Sequence, residues 1–221
     1  MIERYAAVVC DWSLEVGPGT RLLVDGGLEA KALATAVAAH AWRAGATVSV
    51  NLYPSWASGA GLSSELEGSF DAVCEIVEAG PGFTGEVAPI PGVRCLWPTA
   101  RGAQREGVGT LRLAETVFSR CLLDRPDPIA AWREVALRNE RAIARLGTAG
   151  RLTVGEAAFA IGNARWKSEA GRTRLPGACV EAVLGDGRLT LATDGCEVVV
   201  SLDCRPLAGP VALDGVEVTG W

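Results

Sequence analysis

The sequence predicts an α/β fold, with an N-terminal three-layer part built on a parallel sheet and a smaller β-rich part after it. Three observations carry this. Two short apolar runs, Arg21 to Asp25 and Thr47 to Leu52, flank a helix-length stretch from Leu28 to Ala44 that Gly45 closes, the pattern of a strand, a right-handed crossover helix and a second parallel strand. Further apolar runs at 72–77 and 92–97 extend the same sheet across a connection rich in Pro and Gly. Beyond Gly150 the apolar period falls to two, with short runs at 152–154, 188–191, 197–202 and 216–218 joined by Gly-Asp-Gly and Asp-Gly turns.

Taken in order, Ile2, Tyr5, Val9, Trp12 and Val16 recur at spacings of three and four, so residues 2–15 form an amphipathic helix that Gly17-Pro18-Gly19 ends. The stretch from Tyr53 to Ser69, rich in Ser, Gly and Ala, has no sustained period and reads as a loop or lid with one helical turn. Asp127 followed by Pro128 marks a helix start, and Ile129, Trp132, Ala136, Ile143 and Leu146 carry its stripe to Gly147. The boundary falls near 147–151, giving an α/β domain over 1–148 and a β-rich part over 149–221; the alternation alone leaves open whether both share one core.

Composition narrows the function classes. Apolar residues make up 49% of the 221 and charged residues 21%, enough to build a core and too apolar for a mostly disordered chain. The net charge is -5 without runs of like charge, which disfavours nucleic acid or an anionic membrane as partner. No apolar stretch of about 18 residues occurs, and Met1 to Tyr5 lacks a signal-peptide pattern, so a cytoplasmic location is expected. Seven cysteines, an odd number without any C-x-x-C pair, read as free buried thiols.

Four segments together resemble the thermophilic leucyl-aminopeptidase (aminopeptidase T-like) metallopeptidases over roughly two thirds of the chain. They are the opening helix with Gly17-Pro18-Gly19-Thr20-Arg21-Leu22-Leu23-Val24, the crossover end Arg43-Ala44-Gly45-Ala46, Asp127-Pro128 with Trp132-Arg133, and Ala170-Gly171-Arg172-Thr173-Arg174-Leu175-Pro176-Gly177. The resemblance implies an active cleft beside that last segment and dimers as the working form. The family's metals are held by histidines, carboxylates and a tyrosine of a C-terminal domain, whereas this sequence has a single histidine and ends at Trp221. A shortened member without a metal site and without a cofactor is therefore expected. Where the resemblance places a metal-binding glutamate, the sequence offers Cys179, with Glu181 two residues on. A related branch, iron-dependent dioxygenases that cleave dihydroxypyridines, needs ligands that are equally scarce here.

Candidate site residues follow. His40, on the buried stripe of the second helix, reads first as a core or interface histidine and second as a base, alone or paired with Cys179 as nucleophile. Glu156, Glu169 and Glu181 are candidate general bases. Arg165, Lys167, Arg172 and Arg174 surround Trp166 and Pro176, a grouping that reads first as a solvated hairpin face and second as a site for a carboxylate or an acidic peptide. Gly26-Gly27 at a strand exit serves either a phosphate cradle or a tight turn, with Glu29 adding a negative charge to the helix start. Trp56 and Trp97 fall at carboxyl ends of strands, where open α/β sheets bind ligands, and read as pocket walls or as core.

These readings combine into a peptidase-derived biosynthetic protein that binds, and modifies or cyclises, a peptide-like substrate in natural-product maturation without a metal. The alternatives are a noncatalytic binding or scaffold subunit beside a catalytic homologue, and a metallo-aminopeptidase-like hydrolase completed by a partner chain. Whether the protein catalyses at all separates the noncatalytic subunit from the other two. The expected partners are a peptide or small molecule and a second copy or a homologue.

Overall fold

A computed structural model describes residues 1–54, 69–79, 91–177, 179–184, 187–192, 199–202, 205–207, 209–214 and 216–217. The loop expected after Tyr53, with Trp56, lies largely outside them. The chain divides into two compact units, residues 1–131 with 171–177 and residues 132–170 with 178–221.

In the first unit, helix α1 (Ile2–Ala7) runs on into wider turns over Val8–Ser13. There Leu14 N–H reaches back to the Val9 carbonyl at 3.0 Å and Val16 N–H to that of Cys10 at 2.8 Å. Its apolar stripe is buried through Tyr5, Val8, Val9, Cys10 and Trp12. Strand β1 (Arg21–Gly27), a short turn (Leu28–Ala30), helix α2 (Lys31–Arg43) and strand β2 (Thr47–Tyr53) form the expected crossover, with β1 and β2 parallel from Arg21↔Thr47 to Gly27↔Tyr53. Gly45 closes α2 at φ +88°, and a Cβ there would stand 3.2 Å from Pro18 Cα, so the opening Pro-Gly turn packs directly on the helix end.

Strands β3 (Ala72–Glu78) and β4 (Gly92–Trp97) follow, then helices α3 (Ala100–Arg105), α4 (Thr110–Arg120) and α5 (Pro128–Thr148). The periodicity gives no reading for α3 and α4. The start of α5 is as read, since Asp127 Oδ1 accepts the Ala130 N–H at 2.9 Å.

The parallel sheet has the order β2-β1-β3-β4-β8, its last strand being β8 (Arg174–Leu175) from the segment that returns to this unit. On one face Leu22, Val24, Cys74, Ile76, Val93, Cys95 and Leu175 are all at most 1% exposed. Burying such side chains is worth about 1.5–3 kcal/mol each and is the main reason this sheet holds. Tyr5 lies in the same core and donates its hydroxyl to the Leu96 carbonyl at 3.0 Å. The described cysteines, Cys10, Cys74, Cys95, Cys121 and Cys179, are buried thiols outside any disulfide, and burial pushes the Cys10 and Cys121 thiols up to about 12.

The second unit carries the period-two half. Strands β5 (Arg151–Val154) and β6 (Ala157–Ala160) join β13 (Val211–Leu213) and β14 (Val216–Glu217) in one antiparallel sheet. Strands β7 (Lys167–Ser168), β9 (Cys179–Leu184), β10 (Gly187–Ala192), β11 (Val199–Leu202) and β12 (Arg205–Leu207) form another. Leu146, Leu152, Val180 and Leu189 are fully buried between them, with Trp166 packed against the cluster. The molecule is therefore a mixed α/β fold, a parallel sheet with helices and smaller antiparallel sheets. Among the described residues no helix is long and apolar enough to cross a membrane.

Candidate binding crevice at the carboxyl edge of the parallel sheet

The crossover through α2 carries the chain from β1 to β2 on one side, while β3 pairs with β1 on the other. Connections leaving β1 and β3 therefore diverge, and open α/β sheets leave a ligand crevice at such a switch point. A cavity of about 120 Å³ lies there. Gly27, Glu29 and Ala30 line it from the exit of β1, and Tyr53 from the end of β2. Ile76, Val77 and Glu78 come from β3, and Trp97, Thr99 and Arg101 from β4 and the start of α3.

Close backbone approach shapes this site. A Cβ on Gly26 would lie 3.0 Å from the Ile76 carbonyl oxygen, so glycine lets β1 and β3 meet at full depth. A Cβ on Gly102 would stand 2.2 Å from the Ala79 carbonyl oxygen, and only glycine lets the first turn of α3 settle on the exit of β3. Thr99 caps that turn, its Oγ1 accepting the Gly102 N–H at 2.9 Å while its hydroxyl donates to Glu78 Oε2 at 2.7 Å.

Glu78 is the charged centre of the wall. Arg101 Nε donates to its two oxygens at 3.1 and 3.2 Å, and Arg105 pairs with it as well. Burial pushes its carboxyl up, but the bonds from Thr99 and Arg101 and the charges of Arg105 and Arg101 outweigh this and hold it below its ordinary value. Glu78 is thus fixed as an anion with its lone pairs engaged. Glu29 differs: its Oε2 would be 3.1 Å from a Cβ on Gly27, so its carboxylate folds back over the glycine turn. A carboxylate in that position repels an anion, which weighs against a phosphate cradle at Gly26-Gly27. Opposite, the Trp97 indole N–H donates to the Glu29 carbonyl at 3.0 Å, fixing its ring in the wall.

Below the crevice a polar row crosses the other sheet face. Asn51, Asp25, Glu75, Arg94 and Arg174 are register neighbours on the five strands, whereas parallel strands are ordinarily apolar on both faces. Asn51 Nδ2 donates to Asp25 Oδ1 at 2.7 Å, and Arg94 Nε to Glu75 Oε2 at 2.6 Å. Burial raises the Asp25 carboxyl; the Asn51 amide opposes this and the charge of Glu75 adds to it. Burial, then the charges of Asp25 and Glu75, also raises the Tyr53 hydroxyl, against Arg94.

Of the residues singled out from sequence, Trp97 and the Gly27–Glu29 turn line this crevice, and Trp56 lies outside the described residues. His40 sits near the end of α2, partly exposed, with Nε2 2.8 Å from Asp11 Oδ1. Cys179, Glu181 and Glu169 belong to the second unit, where they come together. Cys179 is 8% exposed and its thiol donates to Glu181 Oε1 at 3.6 Å, while its carbonyl accepts from the Glu169 N–H and from Asn139 Nδ2. Glu156 is exposed in the β5–β6 turn. The cationic group is divided. Arg165 and Lys167 are exposed in the second unit, Lys167 opposite Glu181 in register, and Trp166 joins the core there. Arg172 and Arg174 lie in the first unit. Arg172 stacks 4.0 Å over the Trp12 ring, pairs with Glu15 at 2.7 Å and donates to the Trp12 carbonyl, and Arg174 stands beside Arg94 in β8. Tyr53, Glu78, Thr99 and Arg101 have no counterpart among those sequence candidates. Among the described residues no three His, Cys, Asp or Glu side chains are grouped so as to hold a metal ion.

No family model matches the chain, and no curated protein matches it. Solved structures do. Wild-type AmpT from Thermus thermophilus is similar with a TM-score of 0.55 and 13% identity, over 92% of this chain and 71% of that one. The 2,5-dihydroxypyridine dioxygenase of Pseudomonas putida KT2440 is similar with a TM-score of 0.52 and 13% identity, over 91% of this chain and 67% of that one. At these identities the likeness is one of fold, and the fold is distantly aminopeptidase-like.

Proposed function

We propose that this chain is a peptidase-derived protein, a distant relative of the aminopeptidase T-like enzymes, that binds a peptide or peptide-like substrate in the crevice at the β1–β3 switch. Its setting is natural-product maturation, and it holds the substrate for a metal-independent change such as cyclisation. The observation that carries the reading is the crevice itself, with Tyr53, Ile76, Val77 and Trp97 as apolar and aromatic walls and Glu29 and Arg101 among its lining. Orientation and exclusion of water are what such a site contributes to an intramolecular reaction.

A second reading, a noncatalytic binding subunit beside a catalytic homologue, is favoured by one observation: the bonds that hold Glu78 as an anion occupy the oxygens a general base would use. Assembly with a second copy or a homologue belongs to both readings, and the exposed Trp42 (73%) and Leu111 (82%) suit it.

Calorimetry with short apolar peptides, followed by mass spectrometry of the incubated mixtures, tests the proposal. Binding with a new product, both reduced in Trp97→Ala, supports the enzyme. Binding without a product selects the subunit, and no binding by any peptide removes both.

A further inference from the structure

The crevice is bipolar. Among the described residues the Glu29 carboxylate has no hydrogen-bond or ion-pair partner, although it lies folded over Gly27 in the lining. Arg101, 53% exposed on its side chain, bonds to Glu78 through Nε, and among the described residues its two Nη groups make no hydrogen bond. A free guanidinium edge takes a carboxylate through paired charge-assisted hydrogen bonds, and a free carboxylate takes an ammonium. Glu29 and Glu78 against Arg101 and Arg105 sum to zero, so a ligand without net charge but with both signs keeps the site balanced, whereas a simple cation or anion does not.

Size sets the rest. A cavity of about 120 Å³ is slightly smaller than the roughly 150 Å³ apolar cavity known to hold one benzene. It accommodates one branched aliphatic side chain against Tyr53, Ile76 and Val77, with the polar groups of the ligand left at the mouth. The indole of Trp97, fixed by its bond to the Glu29 carbonyl, supplies a ring beside the place where an ammonium meets Glu29.

We propose that the crevice binds a single zwitterionic α-amino acid with an apolar side chain, its ammonium on Glu29 and its carboxylate on Arg101. The proposal rests on the crevice being the ligand site and narrows the ligand from a peptide-like molecule to one free amino acid. Glu29 and Arg101 become specificity-determining residues, each reading one end of the zwitterion.

Calorimetry with four probes, L-leucine, L-leucinamide, N-acetyl-L-leucine and the tripeptide leucyl-glycyl-glycine, tests this on the wild-type chain and on Glu29→Gln and Arg101→Gln. Leucine is expected to bind at least tenfold more tightly than leucinamide or N-acetyl-leucine. Glu29→Gln should abolish the preference over N-acetyl-leucine and keep that over leucinamide, and Arg101→Gln should do the reverse. Leucinamide or N-acetyl-leucine binding as tightly as leucine overturns the assignment, as does a variant that weakens every probe equally. Tripeptide binding without leucine binding overturns the single amino acid and leaves the peptide reading standing, whereas no binding by any probe overturns both.

Discussion

The carboxyl edge of the parallel sheet and the segment 165–174 are both rich in cations and tryptophan, yet they use them differently. In the segment the side chains converge on the protein itself. Trp166 packs into the core of its unit, Lys167 stands opposite Glu181, and Arg172 lies on Trp12 beside Glu15. At the sheet edge they converge on empty space, where Trp97, Arg101 and Glu29 border a cavity. Residue type alone does not make a site; what decides is whether the fold leaves polar atoms free around a volume.

Substitutions in the two regions should therefore separate stability from binding. The largest expected effect is that of Trp166→Ala, which removes an indole from the core of the second unit and should cost about 3 kcal/mol in urea unfolding. Arg172→Ala comes next. It removes hydrogen bonds to Glu15 and to the Trp12 carbonyl, and should cost about 2 kcal/mol while leaving the affinity of a crevice ligand unchanged. A tenfold loss of affinity in that variant would return the segment to the binding site. Trp97→Phe keeps the ring near Phe118 but loses the N–H bond to the Glu29 carbonyl. It should weaken a crevice ligand by about fivefold, roughly 1 kcal/mol, with little change in unfolding.

The smallest effect is electrostatic and belongs to the sheet. The Asp25 carboxyl titrates above its unfolded value of about 3.9, so the folded chain holds that proton more tightly than the unfolded chain. Its contribution is complete below that value and fades as the pH rises through the folded one. Asp71 runs the other way: its hydrogen bonds with Arg21 lower it to about 2, and its contribution is lost as the pH falls toward that value. Asp25→Asn keeps an oxygen for Asn51 and should flatten the decline in urea midpoint as the pH rises above about 4. A decline of undiminished slope in the variant would assign it to another group.

Local signals made much of the fold legible. Gly45 and Asp127-Pro128 stop and start helices through their own backbone preferences, whereas the opening helical turns end at Ser13, before Gly17-Pro18-Gly19, with Glu15 at φ +50°. The change to period two after Gly150 likewise announced the antiparallel strands. The crevice was legible only at Gly27, Glu29 and Trp97. Tyr53, Glu78, Thr99 and Arg101 leave different strands or follow them, and only parallel register and the direction of the α2 crossover bring them together. Thr99 is an N-cap residue three positions before the glycine it binds, a signal that could have revealed α3. Asp25, Glu75 and Arg94 each interrupt an apolar strand, but the row they form depends on register that one strand does not encode.

The central claim, that ligand binds at the β1–β3 switch and not along 165–174, is tested most directly by the indole N–H resonances in a nitrogen-15 NMR titration with L-leucine. The account predicts that the Trp97 signal, assigned through Trp97→Phe, shifts progressively and saturates while that of Trp166 stays in place. A saturating shift of Trp166 with Trp97 unmoved would contradict it.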